Sequence, residues 1–372
     1  MRILHVQTGG GSSGGIANYI ANLVRSEALR EFEFVVAAGI GESDILNQNK
    51  KYSAARVVEV SSTYGLLDLP KMLTDMRRLL RQQNITLVHS HALRAGFICA
   101  AMNLLFKVQF VHTNHGLRFV QKSRLVSSWV FRLLERFVVS RAERVFCVRN
   151  SDARLIRKVL PCYSHKIETI VTRIDPIKTL YDRGFRIEAE PMRLIGIGSI
   201  IDVKRVDRFI DWLAALSLLG IEYSAVWLGD GPLRAVMEER AKNSSVKLKW
   251  LGHVDAVIVA EELSKADVML LTSDFEVLPL AALEAMANGK PIVATNFFGV
   301  NDFILNDITG FILSPSISSC QVAEKIAVLA SDKNLRNSMG NKARRLFLDK
   351  FFGVEHMGSE YAIQYKAIFG VR

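Results

Sequence analysis

Cysteine is scarce in this 372-residue chain. The four present, Cys99, Cys147, Cys162 and Cys320, lie far apart, with no CxxC pair and no Cys/His clustering. That spacing argues against a disulfide framework and a zinc site, and it suits a reducing cytosol. Long apolar runs are also missing. The longest, Ala95 to Phe106, spans 12 residues and contains Asn103, well short of the roughly 20 residues that cross a bilayer. The opening stretch, Met1-Arg2-Ile3-Leu4-His5-Val6-Gln7-Thr8, runs at once into glycines. A signal peptide needs a longer apolar core, so this segment reads as a first strand. No internal repeat is visible. What the chain does have is 49% apolar and 23% charged residues, which excludes disordered, collagen-like and coiled-coil classes. Its length suits about two domains.

Acidic residues are the minority charge, 37 against 48 Lys+Arg, for a formal net charge of +11. The excess is local. Residues 101–180 carry 15 basic and 5 acidic side chains, whereas 181–372 carry 22 and 24. A basic half points to an anionic partner: phosphate, a membrane surface or nucleic acid. No RRM, KH or zinc-finger signature accompanies it, and aromatics do not interleave with base-reading residues, so nucleic acid ranks last.

Short runs rich in branched residues alternate with helical patterns. Ile3–Val6, Phe34–Ala38, Arg56–Val60, Thr86–Ser90, Gln109–Thr113, Val145–Val148 and Ile167–Val171 read as strands. Continuous apolar strands separated by helices predict a parallel sheet covered on both faces, here a doubly wound domain over about 1–175. After the polar stretch Asp175–Pro191 the pattern restarts, with strands at Arg193–Gly198, Ser224–Leu228, Leu248–Gly252, Val268–Thr272 and Pro291–Thr295. This predicts a second α/β domain over about 190–350, with a ligand cleft at the junction. Helices close the chain, and the last, about 355–372, is expected to return to the first domain.

Four segments carry candidate chemistry. Gly9-Gly10-Gly11-Ser12-Ser13-Gly14-Gly15 stands between the first strand and first helix. It reads either as a phosphate or sugar contact at a helix N-terminus or as a plain strand–helix turn. Its spacing is not the dinucleotide GxGxxG. Histidines cluster at strand ends, in His89-Ser90-His91 and in His112-Thr113-Asn114-His115-Gly116. That is where doubly wound sheets hold ligands, although a buried, satisfied histidine is the usual outcome for any single one. No acidic partner or HExxH spacing supports a metal. Gly198-Ser199 is followed by Lys204-Arg205, either a pyrophosphate clamp or a solvated basic turn. Finally, Glu276 and Glu284 stand eight apart across a strand–loop–helix junction. Either these are two solvated glutamates at a helix start, or the loop carboxylate takes sugar hydroxyls, the helix carboxylate takes a ribose, and the helix N-terminus between them meets phosphate oxygens.

In order and spacing these segments resemble the retaining glycosyltransferases of family four, which have two Rossmann-like doubly wound domains facing across a cleft, the GT-B architecture. The resemblance spans nearly the whole chain. It rests on Gly14-Gly15, Val88-His89-Ser90-His91, Thr113-Asn114-His115-Gly116, Leu228-Gly229-Asp230-Gly231-Pro232, Leu251-Gly252-His253-Val254, Glu276 to Glu284, and Thr309-Gly310-Phe311. The subgroup it looks most like builds bacterial surface polysaccharides, lipopolysaccharide or capsule, on lipid carriers.

The resemblance implies metal-independent transfer of a hexose-type sugar from a nucleoside-diphosphate donor, UDP favoured, to a lipid-linked saccharide, with retention. No cofactor is implied, the sugar nucleotide being a substrate. It implies that Gly14 and Gly15 meet the donor phosphates and that His115 lines the sugar pocket. Lys204 would stabilise the departing diphosphate, with Ser199 and Arg205 nearby. Glu276 would hold the transferred sugar, Leu278 and Leu280 would give backbone contacts, Glu284 would bind the ribose, and Val254 would sit by the base. Three departures from the family pattern stand out. Ser199 replaces an arginine, Val277 follows Glu276 in place of glycine, and Thr172-Arg173 stands where Asn-Gly is usual. Arg205 is the expected substitute for the missing cation, and a non-catalytic, donor-binding relative acting as partner or regulator is the alternative function. A nucleotide-sugar epimerase is a minor rival.

On the acceptor side, His91, Arg118, Lys122, Arg124, Trp129 and Arg132 are the expected contacts. A basic stretch interleaved with apolar residues can rest on an anionic bilayer, or its apolar face can simply pack on the domain. The expected location is cytoplasmic, peripheral to the inner face of the cytoplasmic membrane.

Overall fold

Alternation of β-branched strands with longer helices produces two parallel sheets. A computed structural model describes residues 1–7, 15–39, 54–60, 69–120, 125–176 and 191–371. It divides into one unit of Met1–Arg173 with Gly353–Arg372, and a second of Ile174–Phe352.

Among the described residues the first unit holds seven strands: β1 (Arg2–Gln7), β2 (Glu33–Gly39), β3 (Ala55–Val60), β4 (Leu87–His91), β5 (Phe110–Asn114), β6 (Val145–Cys147) and β7 (Ile167–Thr169). All pair in parallel, in the order β3-β2-β1-β4-β5-β6-β7. The order reverses between β1 and β4, and ligands of open α/β sheets gather beyond the strand C-termini at such a switch point. Every residue of β4 and β5 is buried, as expected for central strands covered on both faces.

One cover comes from the chain's far end. The C-terminal helix, Val354–Phe369, buries Met357, Tyr361 and Tyr365 at i, i+4 spacing. Glu355 latches its first turn to the chain's beginning. The carboxylate accepts from Ser26 Oγ at 2.8 Å and from the backbone N–H groups of Glu27 and Ala28 at 3.1 Å. These contacts hold its carboxyl below the usual range despite partial burial.

The described residues of the second unit hold six parallel strands: β8 (Met192–Ile197), β9 (Tyr223–Leu228), β10 (Leu248–Gly252), β11 (Val268–Leu271), β12 (Ile292–Thr295) and β13 (Gly310–Leu313). Their order is β10-β9-β8-β11-β12-β13, with the switch point between β8 and β11. Sequence patterning finds five of these and misses β13. That strand has only four residues, too few to show a period of two, and its place at the sheet edge beside β12 is a tertiary fact.

The core under β8 is tight. Phe209 and Trp227 meet edge to face, with centroids 5.1 Å apart. A Cβ on Gly196 would run into the Trp227 ring and come within 2.8 Å of Phe209 Cε2. Overpacking of this kind costs about 2 kcal/mol, so Gly196→Ala is expected to lower the unit's stability by that amount in urea unfolding.

Candidate functional site

In the second unit the switch point gathers the loops that follow β8 and β11. The β8 loop turns at Gly198 and runs beside the β9 loop, with Gly198 N–H donating to Leu228 O and Ile200 N–H to Asp230 O, both at 2.9 Å. Gly229, at φ 128°, presses so closely on the Gly198 carbonyl that no side chain fits. The β11 loop is sewn to the same segment. Asp274 N–H donates to Val203 O at 2.9 Å, and Thr272 Oγ1 to Lys204 O at 3.0 Å.

This stitching brings Lys204 and Glu276, 72 residues apart, into an ion pair. Both are mostly buried, and Ser273 Oγ donates to the same Glu276 oxygen at 2.7 Å. Four residues on, the helix Leu280–Ala287 begins after Pro279, and its first N–H groups face outward from the helix end. Glu284 lies one turn further along. Burial alone pushes its carboxyl up to about 7, and no side chain pairs with it among the described residues. A fixed ammonium, a helix N-terminus and a carboxyl with unused hydrogen-bonding capacity form a set suited to a diphosphate with sugar hydroxyls on either side. Leu278 is buried, Leu280 and Val254 are half-buried, and Ser199 is exposed.

Arg205 corrects one expectation. Its guanidinium is committed to Asp207, at 2.8 Å, and to Asp274, at 3.0 Å. The two carboxylates, Asp207 first, raise its already high pKa further. The charge is therefore balanced inside the loop, not presented in place of the missing arginine. Arg208 reaches the other oxygen of Asp274 at 2.9 Å. Motif reading missed both partners: Asp207 is near Arg205 in sequence but need not touch it in space, and Asp274 is 69 residues away.

In the first unit the switch point between β1 and β4 gathers histidines. His91 ends β4 and His115 follows β5. His5 on β1 stands opposite His89 in register. His91 Nε2 lies 2.9 Å from His5 Nδ1, and His91 Nδ1 lies 3.1 Å from His115 Nε2. His89 Nδ1 is 2.6 Å from Tyr365 Oη, and its Nε2 is 2.6 Å from Thr113 Oγ1. Thr113 continues to Tyr361 Oη at 3.0 Å, and Tyr361 to Tyr19 Oη at 2.5 Å. The Tyr19 ring sits edge-on to His115, with centroids 4.9 Å apart. Burial pushes His5 and His112 down to about 3, and lowers His89 and His91 as well. All are neutral at pH 7.

His91 is the second correction. Expected at the acceptor or membrane surface, it is wholly buried, because β4 is central and the C-terminal helix caps that face of the sheet. His115 is half-buried and Gly15, the first residue of its helix, is exposed. Gly14, Lys122 and Arg124 lie outside the described residues. Arg118 is placed only through its backbone, in the turn Arg118–Val120. On the helix Leu125–Arg141, Trp129 is 58% exposed, and Val130, Leu133, Arg132 and Arg136 are also exposed. The opposite side buries Glu135, Val138 and Val139. This helix thus both packs on the domain and leaves apolar residues outside. Sequence reasoning missed His5, Tyr19, Tyr361 and Tyr365. The available signal was a lone histidine inside an otherwise apolar first strand.

Comparison with known proteins places these features in a family. Residues 13–177 match the family model described as Glycosyltransferase Family 4, and residues 178–346 match Glycosyl transferases group 1. The chain is 26% identical over 333 residues to the N-acetyl-alpha-D-glucosaminyl L-malate synthase of Bacillus anthracis, covering 85% of each. It is 24% identical over 298 residues to an Escherichia coli UDP-Gal:alpha-D-GlcNAc-diphosphoundecaprenol alpha-1,3-galactosyltransferase, covering 76% of this chain and 75% of that one. Among solved structures, the sucrose-phosphate synthase of Thermosynechococcus elongatus superposes with a TM-score of 0.80 at 18% identity over 99% of each chain. HepE of Anabaena, solved with UDP and glucose, gives 0.76 at 15% identity over 99% of this chain and 100% of that one. With two consecutive family models spanning the two Rossmann-like units, the chain belongs to the family 4 glycosyltransferases of GT-B fold.

Proposed function

We propose that the protein transfers a sugar from a nucleoside-diphosphate donor, UDP favoured, to a lipid-linked saccharide, with retention and without a metal, in synthesis of a bacterial surface polysaccharide. The observation that carries the reading is the partly buried Lys204–Glu276 pair at the β8/β11 switch point, one turn from a helix N-terminus. The barrier to transfer lies in departure of the diphosphate, with oxocarbenium-like charge left on the sugar carbon. A fixed ammonium and helix N–H groups stabilise the leaving group without reorganising at the moment of reaction. Glu276 orients Lys204, and its carboxylate accepts from sugar hydroxyls. Glu284, with its raised pKa, exchanges hydrogen bonds with a ribose. Relatives named as acting on diphosphoundecaprenol-linked and PP-undecaprenol-linked saccharides support the acceptor class.

The acceptor's membrane setting fits the charge distribution. Trp129 and Leu133 stand one turn apart beside Arg132 and Arg136, which suits partial insertion into an anionic inner leaflet. The non-catalytic alternative is favoured by two observations: the exposed Ser199 in an arginine's place, and Arg205 consumed by its own aspartates.

Incubation with UDP-, GDP-, ADP- and TDP-sugars separates the two readings. An enzyme releases nucleoside diphosphate from one donor when anionic vesicles supply a polyprenyl-diphosphate-linked saccharide. A regulator is stabilised by a donor but releases nothing. Binding to those vesicles should weaken with salt, and its absence even at low ionic strength would remove the membrane assignment.

A further inference from the structure

His5, His91 and His115 form a single file of imidazoles across the β1/β4 switch point, linked at 2.9 and 3.1 Å. His89 is no fourth link. It stacks on His91 at 4.3 Å between centroids, but its nitrogens are used by Tyr365 and Thr113. A neutral imidazole carries one donor and one acceptor nitrogen. His91 must therefore donate through one nitrogen and accept through the other, so the two links run in the same direction along the file. Only two arrangements exist. In one, all three protons sit on Nε2; in the other, all three sit on Nδ1.

The inner end decides between them. His5 is fully buried, and among the described residues its Nε2 has no hydrogen-bond partner. With the protons on Nε2, a buried N–H would be orphaned there. With the protons on Nδ1, only a lone pair is left unmet. A buried orphan donor is the rarer and costlier state. We propose that His5 and His91 are positioning residues which fix His115 as its Nδ1–H tautomer, so that the site receives a hydrogen-bond donor from His115 and not a base.

Among the described residues, His115 Nδ1 has no protein partner, which leaves that N–H available to an oxygen of the substrate. Only this last, functional consequence rests on the glycosyltransferase reading. Under it, His115 donates to a sugar or acceptor oxygen and removes no proton from the acceptor hydroxyl.

The test is long-range ¹H–¹⁵N correlation spectroscopy of the full chain labelled with ¹⁵N-histidine, at pH 7, with His115 assigned by loss of its signals in His115→Gln. Nδ1 of His115 should show the protonated, pyrrole-type shift and Nε2 the pyridine-type shift. A proton on Nε2 in the unsubstituted protein overturns the proposal, whatever the activity measurements give. Two variants extend the test. In His91→Gln the amide N–H₂ donates to His115 Nε2 while the amide oxygen accepts from His5, so the Nδ1–H tautomer should persist. In His91→Leu that donor is gone, and His115 should move toward the Nε2–H form that free histidine prefers. An unchanged Nδ1–H signal in His91→Leu would remove His91 from the role. If His91→Leu does not fold, the unsubstituted spectrum and the glutamine variant still decide. Absence of sugar transfer by the unsubstituted protein, with the Nδ1–H tautomer present, would sink the glycosyltransferase reading of His115 and leave the tautomer assignment standing.

Discussion

Lys204→Ala is expected to lower the rate of sugar transfer about 100- to 1,000-fold, the loss found when one preorganised donor is removed from a developing negative charge. The physical basis is placement. Lys204 is held by the loop hydrogen bonds Asp274 N–H to Val203 O and Thr272 Oγ1 to Lys204 O, and its ammonium is mostly buried against Glu276. A charge fixed in that way is preorganised, and little solvent remains to replace it when the side chain is cut back. The loss should fall mainly on kcat, because the leaving group gains its full charge only as the bond breaks. Substitution also leaves Glu276 with Ser273 Oγ as a remaining partner, so the fold should survive, and thermal unfolding run beside the kinetics checks this. Full transfer rate in Lys204→Ala would overturn the assignment of the site.

The second large effect concerns stability and lies outside the β8 and β11 loops. Glu135 is 1% exposed on the inner side of the helix Leu125–Arg141. It accepts from Asn114 Nδ2 at 3.2 and 3.3 Å. Burial pushes its carboxyl up to about 8, against the hydrogen bond from Asn114, and the nearby Asp152 adds to the rise. Asp152 itself is held by Arg149, 3.0 Å away, with both side chains buried. The folded protein therefore binds a proton on Glu135 that the unfolded chain releases above its ordinary value near 4.5.

Stability from this group is present at low pH and is lost as pH rises from about 4.5 to 8, by on the order of 4 kcal/mol in all. Glu135→Gln keeps the shape without the titration. It should match the unsubstituted protein near pH 5 and exceed it by about 3 kcal/mol at pH 8, roughly 8 °C in melting temperature for a unit of this size. An equal difference at both pH values would show that Glu135 is not protonated in the fold.

How much of this was legible beforehand divides along a physical line. Helix Leu125–Arg141 and strands β4 and β5 were readable because their periodicity is local: each residue's face follows from its neighbours two to four positions away. Lys204 and Glu276 were readable as members of motifs that follow predicted strands. Their direct pairing was not, since it depends on two loops 72 residues apart closing to hydrogen-bonding distance. Arg205 was misjudged for the same reason. A cation's availability is set by which carboxylates fold against it, and Asp274 lies 69 residues away.

The amino-acid sequence by itself determined two α/β units, their parallel sheets, the loops bearing the candidate chemistry and the basic character of the first half. Tertiary structure alone decided that His91 belongs to the core, that Glu135 holds a proton near neutral pH, and that the final helix supplies Tyr361 and Tyr365 to a network ending at His115. Backbone periodicity is written into short stretches, so sequence can carry it. Burial and side-chain partnership are properties of the closed chain. A group's protonation, tautomer and free charge therefore come into being only when distant segments exclude water around it.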